Sequence, residues 1–459
     1  MIGRPGSGKT VHLCAQTMKR ALTQPEDPIF VLDASGSFCD EFIKMFLSLP
    51  TPQKEQIVRR LVYDRMGDPE YVTAFPFFSK VYGLFMEDQV QRVTQNGLRL
   101  NEELITLNPT LGGIALREVA PQLYRLLSAI EDKRGNCWQI SEARKLLGRE
   151  DWLRIACKDY GHKVKGAQEY FKKQFLPQSD HERELRSYTL RSVLGSLDPK
   201  PIRARVGYPI PSWTPKEAIE KGQIVLISGE RLINQDAGMG ILFTDVYSQI
   251  LAVINERTPH NPNDKPVLMV IDEVPMLLQI KGMAEEIGKV SPRYRSRRLQ
   301  IIVIIQMLAQ LDDDLRKKIW GLGNTVCFGI DSHKESYEIA QQLFKFDPAG
   351  SRRPRDMDNP IADQDRTQYL IGANWLQHLP ARAVVLKRWI DEGTEDKFVR
   401  FIKRTSDVQE KPLSGSLADI KERILRRNSI PINDALRVVN ARSLTKKDSD
   451  KDEEPPSFG

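Results

Sequence analysis

The chain has 459 residues, with 68 Lys and Arg against 61 Asp and Glu, for a formal charge of +7. That length exceeds one ordinary hydrophobic core, so two domains are expected. The basic excess favours a polyanion or an anionic membrane surface as partner, though weakly, and a local cluster of charge would mean more. Five cysteines, at 14, 39, 137, 157 and 327, have no metal-ligand or redox spacing and read as buried thiols of a reducing compartment. No signal peptide or apolar run of about 18 residues is visible. The longest apolar stretches, Val267–Ile271 and Ile301–Ile305, are of strand length, so any membrane anchor would lie ahead of Met1.

The first ten residues carry the strongest signal. Gly3-Arg4-Pro5-Gly6-Ser7-Gly8-Lys9-Thr10 fits the phosphate-binding loop pattern G-x-x-x-x-G-K-[ST] at every fixed position. Gly3, Gly6, Ser7 and Gly8 would let the backbone wrap an anion with its N–H groups turned inward. Lys9 would reach the β- and γ-phosphates, and the Thr10 hydroxyl would sit on Mg²⁺. Val11 to Leu22 reads as the helix whose N-terminus faces the phosphates.

Only Met1 and Ile2 precede this loop. A phosphate loop leaves a buried central strand, and two residues fall short of the usual ~5–6. Either the sequence begins inside a larger protein or another segment fills the slot, and the first is preferred. Without that strand, those ending at Asp33 and Asp272 are expected to lose ladder partners. The chain would then be marginal or aggregation-prone and a weak ATPase at best.

Ile29–Asp33 reads as a buried strand ending in a carboxylate, with Ala34–Ser37 as the turn beyond it. Asp33 would hold a water near the metal or cap the following helix, and both readings stay open. Residues 38–200 read as a mostly helical insertion, with helical spacing in Phe42–Leu49, Lys54–Tyr63, Phe77–Thr94 and Ile114–Ile130. His162 and His181 lack ligand partners and read as surface histidines. Glu182–Arg191 reads as a helix laced with opposite charges rather than a nucleic-acid contact. The Pro/Gly-rich tract Pro199–Pro215 reads as the return linker.

Strands resume at Gln223–Ile227, and Asp245–Ile254 follows as a helix. Such alternation gives a mostly parallel sheet with helices on both faces. Val267–Ile271 is a fully buried strand ending in Asp272-Glu273. With a phosphate loop upstream, Asp272 would hold the Mg²⁺ shell and Glu273 would act as general base toward water, so NTP hydrolysis is the leading reading. Arg293, Arg295, Arg297 and Arg298 crowd six residues. They would serve as an arginine finger, hold DNA phosphates, or form a solvated basic loop. Ile301–Ile305 is a further strand. It ends at Gln306, which would sense the γ-phosphate or merely cap the strand.

Val326–Ile330 and Ala383–Leu386 read as later strands, the second late or at an edge. Ser351–Arg355 is a second basic cluster, Leu417–Val439 has helical periods, and Lys446–Gly459 reads as a disordered tail. The resulting division is 1–37 and 222–405 as the nucleotide domain, 38–200 as the insertion and 201–221 as linker. A C-terminal helical segment at 406–445 and the tail at 446–459 complete it.

The loop, Asp33, the Asp272-Glu273 pair and the arginines before the strand ending in Gln306 together resemble the HerA/FtsK branch of the additional-strand P-loop ATPases. Within it, the chain is most similar to the conjugative coupling proteins of the TraD/TraG type and their type IV secretion relatives. The resemblance covers roughly 1–37 and 222–405. It implies a RecA-like, mostly parallel sheet with an inserted all-helical domain, ATP and Mg²⁺ as cofactors, and a hexameric ring that translocates DNA. Relaxase or secretion-channel proteins would be further partners. The implied place is the cytoplasm, or the periphery of the inner face of a bacterial membrane. Two other classes fit the same motifs: an ATPase powering protein export or pilus assembly, and a nonhydrolytic nucleotide-dependent scaffold or truncated inactive homologue.

Overall fold

A computed structural model describes residues 1–78, 86–107, 114–132, 135–195, 197–230, 236–272, 294–311, 313–320, 324–344, 361–381, 383–387, 400–402 and 416–442. In chain order the elements begin α1 (Lys9–Thr23), β1 (Ile29–Asp33), α2 (Ser37–Leu47), α3 (Thr51–Arg60), β2 (Leu61–Arg65) and β3 (Tyr71–Val72). Helices α4 (Met86–Leu107), α5 (Ile114–Ala129), α6 (Ile140–Gly148), α7 (Glu150–Asp159), α8 (Lys165–Tyr170), α9 (Asp180–Gly195), α10 (Lys200–Gly207) and α11 (Pro215–Glu220) follow. Next come β4 (Ile224–Ser228), α12 (Asp236–Asn255), β5 (Val267–Asp272), β6 (Leu299–Val303), α13 (Asp313–Trp320), β7 (Thr325–Cys327) and α14 (His333–Leu343). The chain closes with α15 (Ile361–Gln377), β8 (Val384–Lys387), β9 (Arg400–Ile402), α16 (Leu417–Arg427), β10 (Ile430–Pro431) and α17 (Ile432–Ala441). Glu273, Arg293, the Ser351–Arg355 cluster and the Lys446–Gly459 tail lie outside the described residues.

The chain forms two compact units. The first holds Met1–Tyr63, Ala218–Glu230 and Leu251–Glu422. Its five-stranded sheet runs β2-β4-β1-β5-β6, with β4, β1, β5 and β6 mutually parallel. Strands β1, β4 and β5 are buried at every position, as continuous apolar runs covered on both faces require. Helix α1 buries Leu13, Cys14, Thr17, Met18 and Ala21, a stripe at helical spacing, and packs on α2. A three-stranded antiparallel sheet, β7-β8-β9, completes the unit, with β8 central rather than at an edge.

Ile2 joins the two sheets, bridging in parallel to Ile305 on one side and Cys327 on the other. Ile2 N donates to Val326 O (2.9 Å), Phe328 N to Ile2 O (2.8 Å) and Ile305 N to Met1 O (2.8 Å). The Met1 amine donates to Val303 O at 2.5 Å, and burial drives its pKa down to about 5.

This overturns the expectation that the strands ending at Asp33 and Asp272 lose ladder partners. Strand β1 is paired on both sides, by β4 and β5, and β5 is paired by β1 and β6. The loop's strand position lies between β6 and β7 instead. Consecutive segments of a parallel sheet need not be neighbours, and here β5 and β6, late in the chain, separate β1 from Ile2.

The second unit holds Asp64–Glu217, Arg231–Ile250 and Arg423–Gly459. It is mostly helical: α4, α6, α8 and α9 pack around α5. The only strand pair among its described residues is β3 with β10, antiparallel. Two sequence expectations change here. The helical spacing of Lys54–Tyr63 breaks at Arg60, where buried Leu61–Asp64 enter β2. The supposed linker Pro199–Pro215 contains α10, which packs on α17 through a core of Val72, Ala204, Ile432, Ala435 and Leu436. Helix α10 also brings in the buried Arg205. Its guanidinium holds Asp64 bidentately at 2.6 and 2.8 Å and donates to Thr73 O, while Trp213 Nε1 donates to the same carboxylate.

Helix α9 carries the charged stretch as expected. Arg183 pairs with Glu150 and Asp180, and Arg191 with Glu184 at 3.9 Å. His162 and His181 are exposed. All five cysteines are buried and unbridged.

Candidate nucleotide-binding site

The loop Gly3–Thr10 turns at the carboxyl edge of the sheet, directly after the Ile2 bridge. Gly6 and Gly8 take φ of 72° and 94°, a region that side-chain-bearing residues resist. A Cβ at Gly6 would meet nothing within 4 Å. Gly8 is the N-cap of α1, and His12 N donates to its carbonyl. Such an arrangement, with a helix N-terminus behind it, fits a phosphate group.

Lys9 is buried, 6 % exposed, and curls across the loop. Its ammonium donates to the carbonyls of Gly3 (2.5 Å) and Arg4 (2.8 Å). Ser7 is equally enclosed, and its hydroxyl donates to Arg4 O at 2.8 Å. Thr10 follows as the second residue of α1.

Two carboxylates stand side by side at this edge, Asp33 in register with Asp272. Their surroundings differ. Asp33 Oδ1 accepts from Gly36 N (2.8 Å), Ser35 N and Ser35 Oγ (3.2 Å each), and its Oδ2 accepts from Cys39 N (2.9 Å). Those donors form the turn and first residues of α2, so the capping reading of Asp33 prevails. Burial pushes its pKa up against the opposing pull of those hydrogen bonds. Asp272 is 2 % exposed and ends β5 at the edge of the sheet where the loop turns. Gln306 follows Ile305, the bridge partner of Ile2, and so stands level with Gly3, the first residue of the loop.

The arginines lie elsewhere. Arg295, Arg297 and Arg298 precede β6 and therefore sit at the amino edge of the sheet. Five-residue β6 alone spans roughly 16 Å at ~3.3 Å per residue. Arg297 donates to the carbonyls of Asn255 (2.8 Å) and Arg257, and Arg298 donates to Asp264 O (2.8 Å). These guanidinium groups staple the turn before β6 to the segment before β5. Arg295 and Arg298 are exposed.

Sequence reasoning missed the outer wall of the loop. Arg4 N donates to Gly329 O (2.8 Å), and its guanidinium pairs with Asp331 at 2.8 Å. His12 packs edge-on to Phe328, with ring centroids 5.9 Å apart, and burial lowers its pKa. No local signal marks these partners, since 327 residues separate Arg4 from Asp331.

Among the described residues no cluster of three or more His, Cys, Asp or Glu is arranged to hold a metal. No helix among them is long and apolar enough to cross a membrane.

Parallel sheet, phosphate loop and strand-end acid define a P-loop NTPase fold of the RecA-like kind with helical insertions. Residues 266–380 match the family model described as the TraM recognition site of TraD and TraG. The bacterial conjugative coupling protein TrwBdeltaN70, in an unbound form, is similar at 14% identity and TM-score 0.50, covering 90% of this chain and 85% of its own. The plasmid coupling protein TrwB in complex with a non-hydrolysable ATP analogue gives TM-score 0.52 at 13% identity, covering 91% and 86%. VirB4 of Thermoanaerobacter pseudethanolicus gives TM-score 0.50 at 14%, covering 89% of each chain. No curated protein matches the chain by sequence. These matches show a resemblance of fold to the coupling protein TrwB and to VirB4.

Proposed function

We propose that the chain binds and hydrolyses ATP with Mg²⁺ at the Gly3–Thr10 loop and uses the cycle to translocate DNA as a ring of identical subunits. One observation carries this reading: the loop, Asp272 and Gln306 meet at the carboxyl edge of a parallel sheet, where open sheets take their ligands. The turn at Gly6 and the buried ammonium of Lys9 fit a triphosphate.

Bound ATP would supply the phosphoanhydride to be cleaved, and Mg²⁺ would offset the charge of its oxygens. Lys9 exchanges the carbonyls of Gly3 and Arg4 for phosphate oxygens. Thr10 and Asp272 would hold the metal. Glu273 takes the proton of the attacking water, and Gln306 reads the γ-phosphate. Arg293, Arg295 and Arg298 supply basic groups for a neighbouring subunit or DNA phosphates, while Arg297 is held by the carbonyls of Asn255 and Arg257. Of these, Arg295 and Arg298 have the exposure such contacts require.

Purified protein is expected to turn over ATP, with double-stranded DNA stimulating it at low salt and less at high salt. Lys9→Ala should abolish turnover, and unchanged activity in that variant would overturn the hydrolytic assignment. Similarity to VirB4 favours a second reading, an ATPase powering protein export or pilus assembly. Indifference of turnover to DNA at every salt concentration selects it.

A further inference from the structure

The phosphate loop is held from outside by a segment far along the chain. Phe328, Gly329 and Asp331 follow β7 and run beside Gly3 and Arg4. A Cβ on Gly3 would lie 2.6 Å from Phe328 Cβ and 3.3 Å from Phe328 Cα. Real Cβ atoms do not approach that closely, so the contact with Phe328 by itself demands glycine at the loop's first position. Arg4 is tied at three points. Its N–H donates to Gly329 O at 2.8 Å, its guanidinium meets Asp331 Oδ1 at 2.8 Å, and its carbonyl accepts from Lys9 Nζ and Ser7 Oγ. The segment is anchored in turn. Ile330 N donates to Leu376 O (3.1 Å) and Gln377 Nε2 to Asp331 O (3.4 Å), both at the end of α15.

Of these ties, only the bond from Lys9 Nζ to the Arg4 carbonyl involves Lys9, and Ser7 Oγ holds the same carbonyl independently. When Lys9 moves to a phosphate, Gly3 and Arg4 lose the ammonium that holds their carbonyls. The backbone bond to Gly329 and the ion pair to Asp331 do not depend on Lys9 and stay in place. We infer that Arg4 and Asp331 are positioning residues: the Phe328–Asp331 segment clamps the second residue of the loop, so that Lys9 can change partners while the loop keeps its shape. This rests on the nucleotide-binding reading for its purpose, but the clamp itself is a property of the nucleotide-free chain.

The experiment therefore has two arms. In the first, hydrogen–deuterium exchange of peptides spanning residues 3–10 is followed without nucleotide in wild type, Asp331→Ala, Arg4→Ala and Arg4→Lys. Both alanine variants should exchange faster, by about two- to five-fold, the range set by a partly exposed ion pair. Arg4→Lys, which keeps a charge for Asp331, should stay near wild type, and peptides of α9 should not change in any variant. In the second arm, KM for ATP should rise about two- to five-fold in both alanine variants with kcat retained. A merely structural role would lower the thermal midpoint and the active fraction without raising KM. Wild-type exchange and KM in Asp331→Ala overturn the clamp, as does an effect of Arg4→Ala that Asp331→Ala fails to reproduce. Should wild type neither bind nor hydrolyse ATP, the nucleotide reading falls while the exchange arm still decides the clamp.

Discussion

Asp33 and Asp272 stand opposite each other in register at the carboxyl ends of β1 and β5, yet their settings differ. Asp33 accepts four hydrogen bonds from the turn and first residues of α2. Asp272, equally buried, ends β5 at the sheet edge where the phosphate loop turns. The difference follows from the next residues in the chain. Ser35 and Gly36 fold back over Asp33, and Gly36 does so at φ 84° with Glu230 close against it.

Exchange of each acid separates stability from activity. Asp33→Ala is expected to cost about 1–2 kcal/mol in denaturant unfolding, as loss of a helix cap does, while folded molecules retain ATP turnover. Asp272→Ala should abolish turnover and leave the unfolding midpoint unchanged or higher. Reversed phenotypes would refute this division.

Ile2 fills the gap between the two sheets of the first unit and is 2 % exposed. Truncation to alanine keeps its ladder bonds but empties its side-chain site, so Ile2→Ala should lose about 2–4 kcal/mol. Thermal and denaturant unfolding measure this. A loss within experimental error would mean that the contacts of Ile2 contribute nothing to the sheet.

In the second unit, Arg205 and Asp64 are buried with only 3 % and 0 % of their side chains exposed. Removing one charge strands the other, so Arg205→Met is expected to cost about 3–5 kcal/mol. The double variant Arg205→Met with Asp64→Leu should recover much of that loss. Equal stability of the single and double variants, by denaturant titration, would show that the stranded charge is not the cause.

Lys421 on α16 reaches Asp40 at 2.6 Å and Glu230 at 3.0 Å within the first unit, and lies 5.9 Å from the ring centroid of Tyr63. Burial works to lower its pKa, but the hydrogen bonds and charges of Asp40 and Glu230 outweigh burial, and the net shift is upward from 10.5. A raised folded-state pKa means stability that is complete below the unfolded value and is lost as pH rises through the folded one. Lys421→Met should therefore lower the thermal midpoint at neutral pH, and the difference from wild type should shrink above pH 10.5. A gap constant with pH would rule out the ammonium as its source.

The short patterns were legible without coordinates. Gly3–Thr10 announces itself because a phosphate cradle needs glycines, a lysine and a hydroxyl at fixed local spacing. Ile29–Asp33, Ile224–Ile227 and Val267–Ile271 read as strands because sheets covered on both faces exclude polar residues from such runs. The helical character of α5 and α9 was equally clear from local spacing and charge.

What local sequence could not decide was pairing across long separations. Two residues looked too few to make a strand, but Ile2 draws its partners from Ile305 and Cys327. The arginines of 293–298 read as a finger, DNA contacts or a solvated loop, but carbonyls of Asn255 and Arg257 claim Arg297. The tract around α10 looked like a linker because prolines flank it, and Arg205 is buried there against Asp64 and the Thr73 carbonyl. The sequence alone determined the chemistry available at the loop and the strand ends. The tertiary structure decided which of those groups meet, because hydrogen bonds and ion pairs between residues hundreds of positions apart leave no periodicity for a sequence to display.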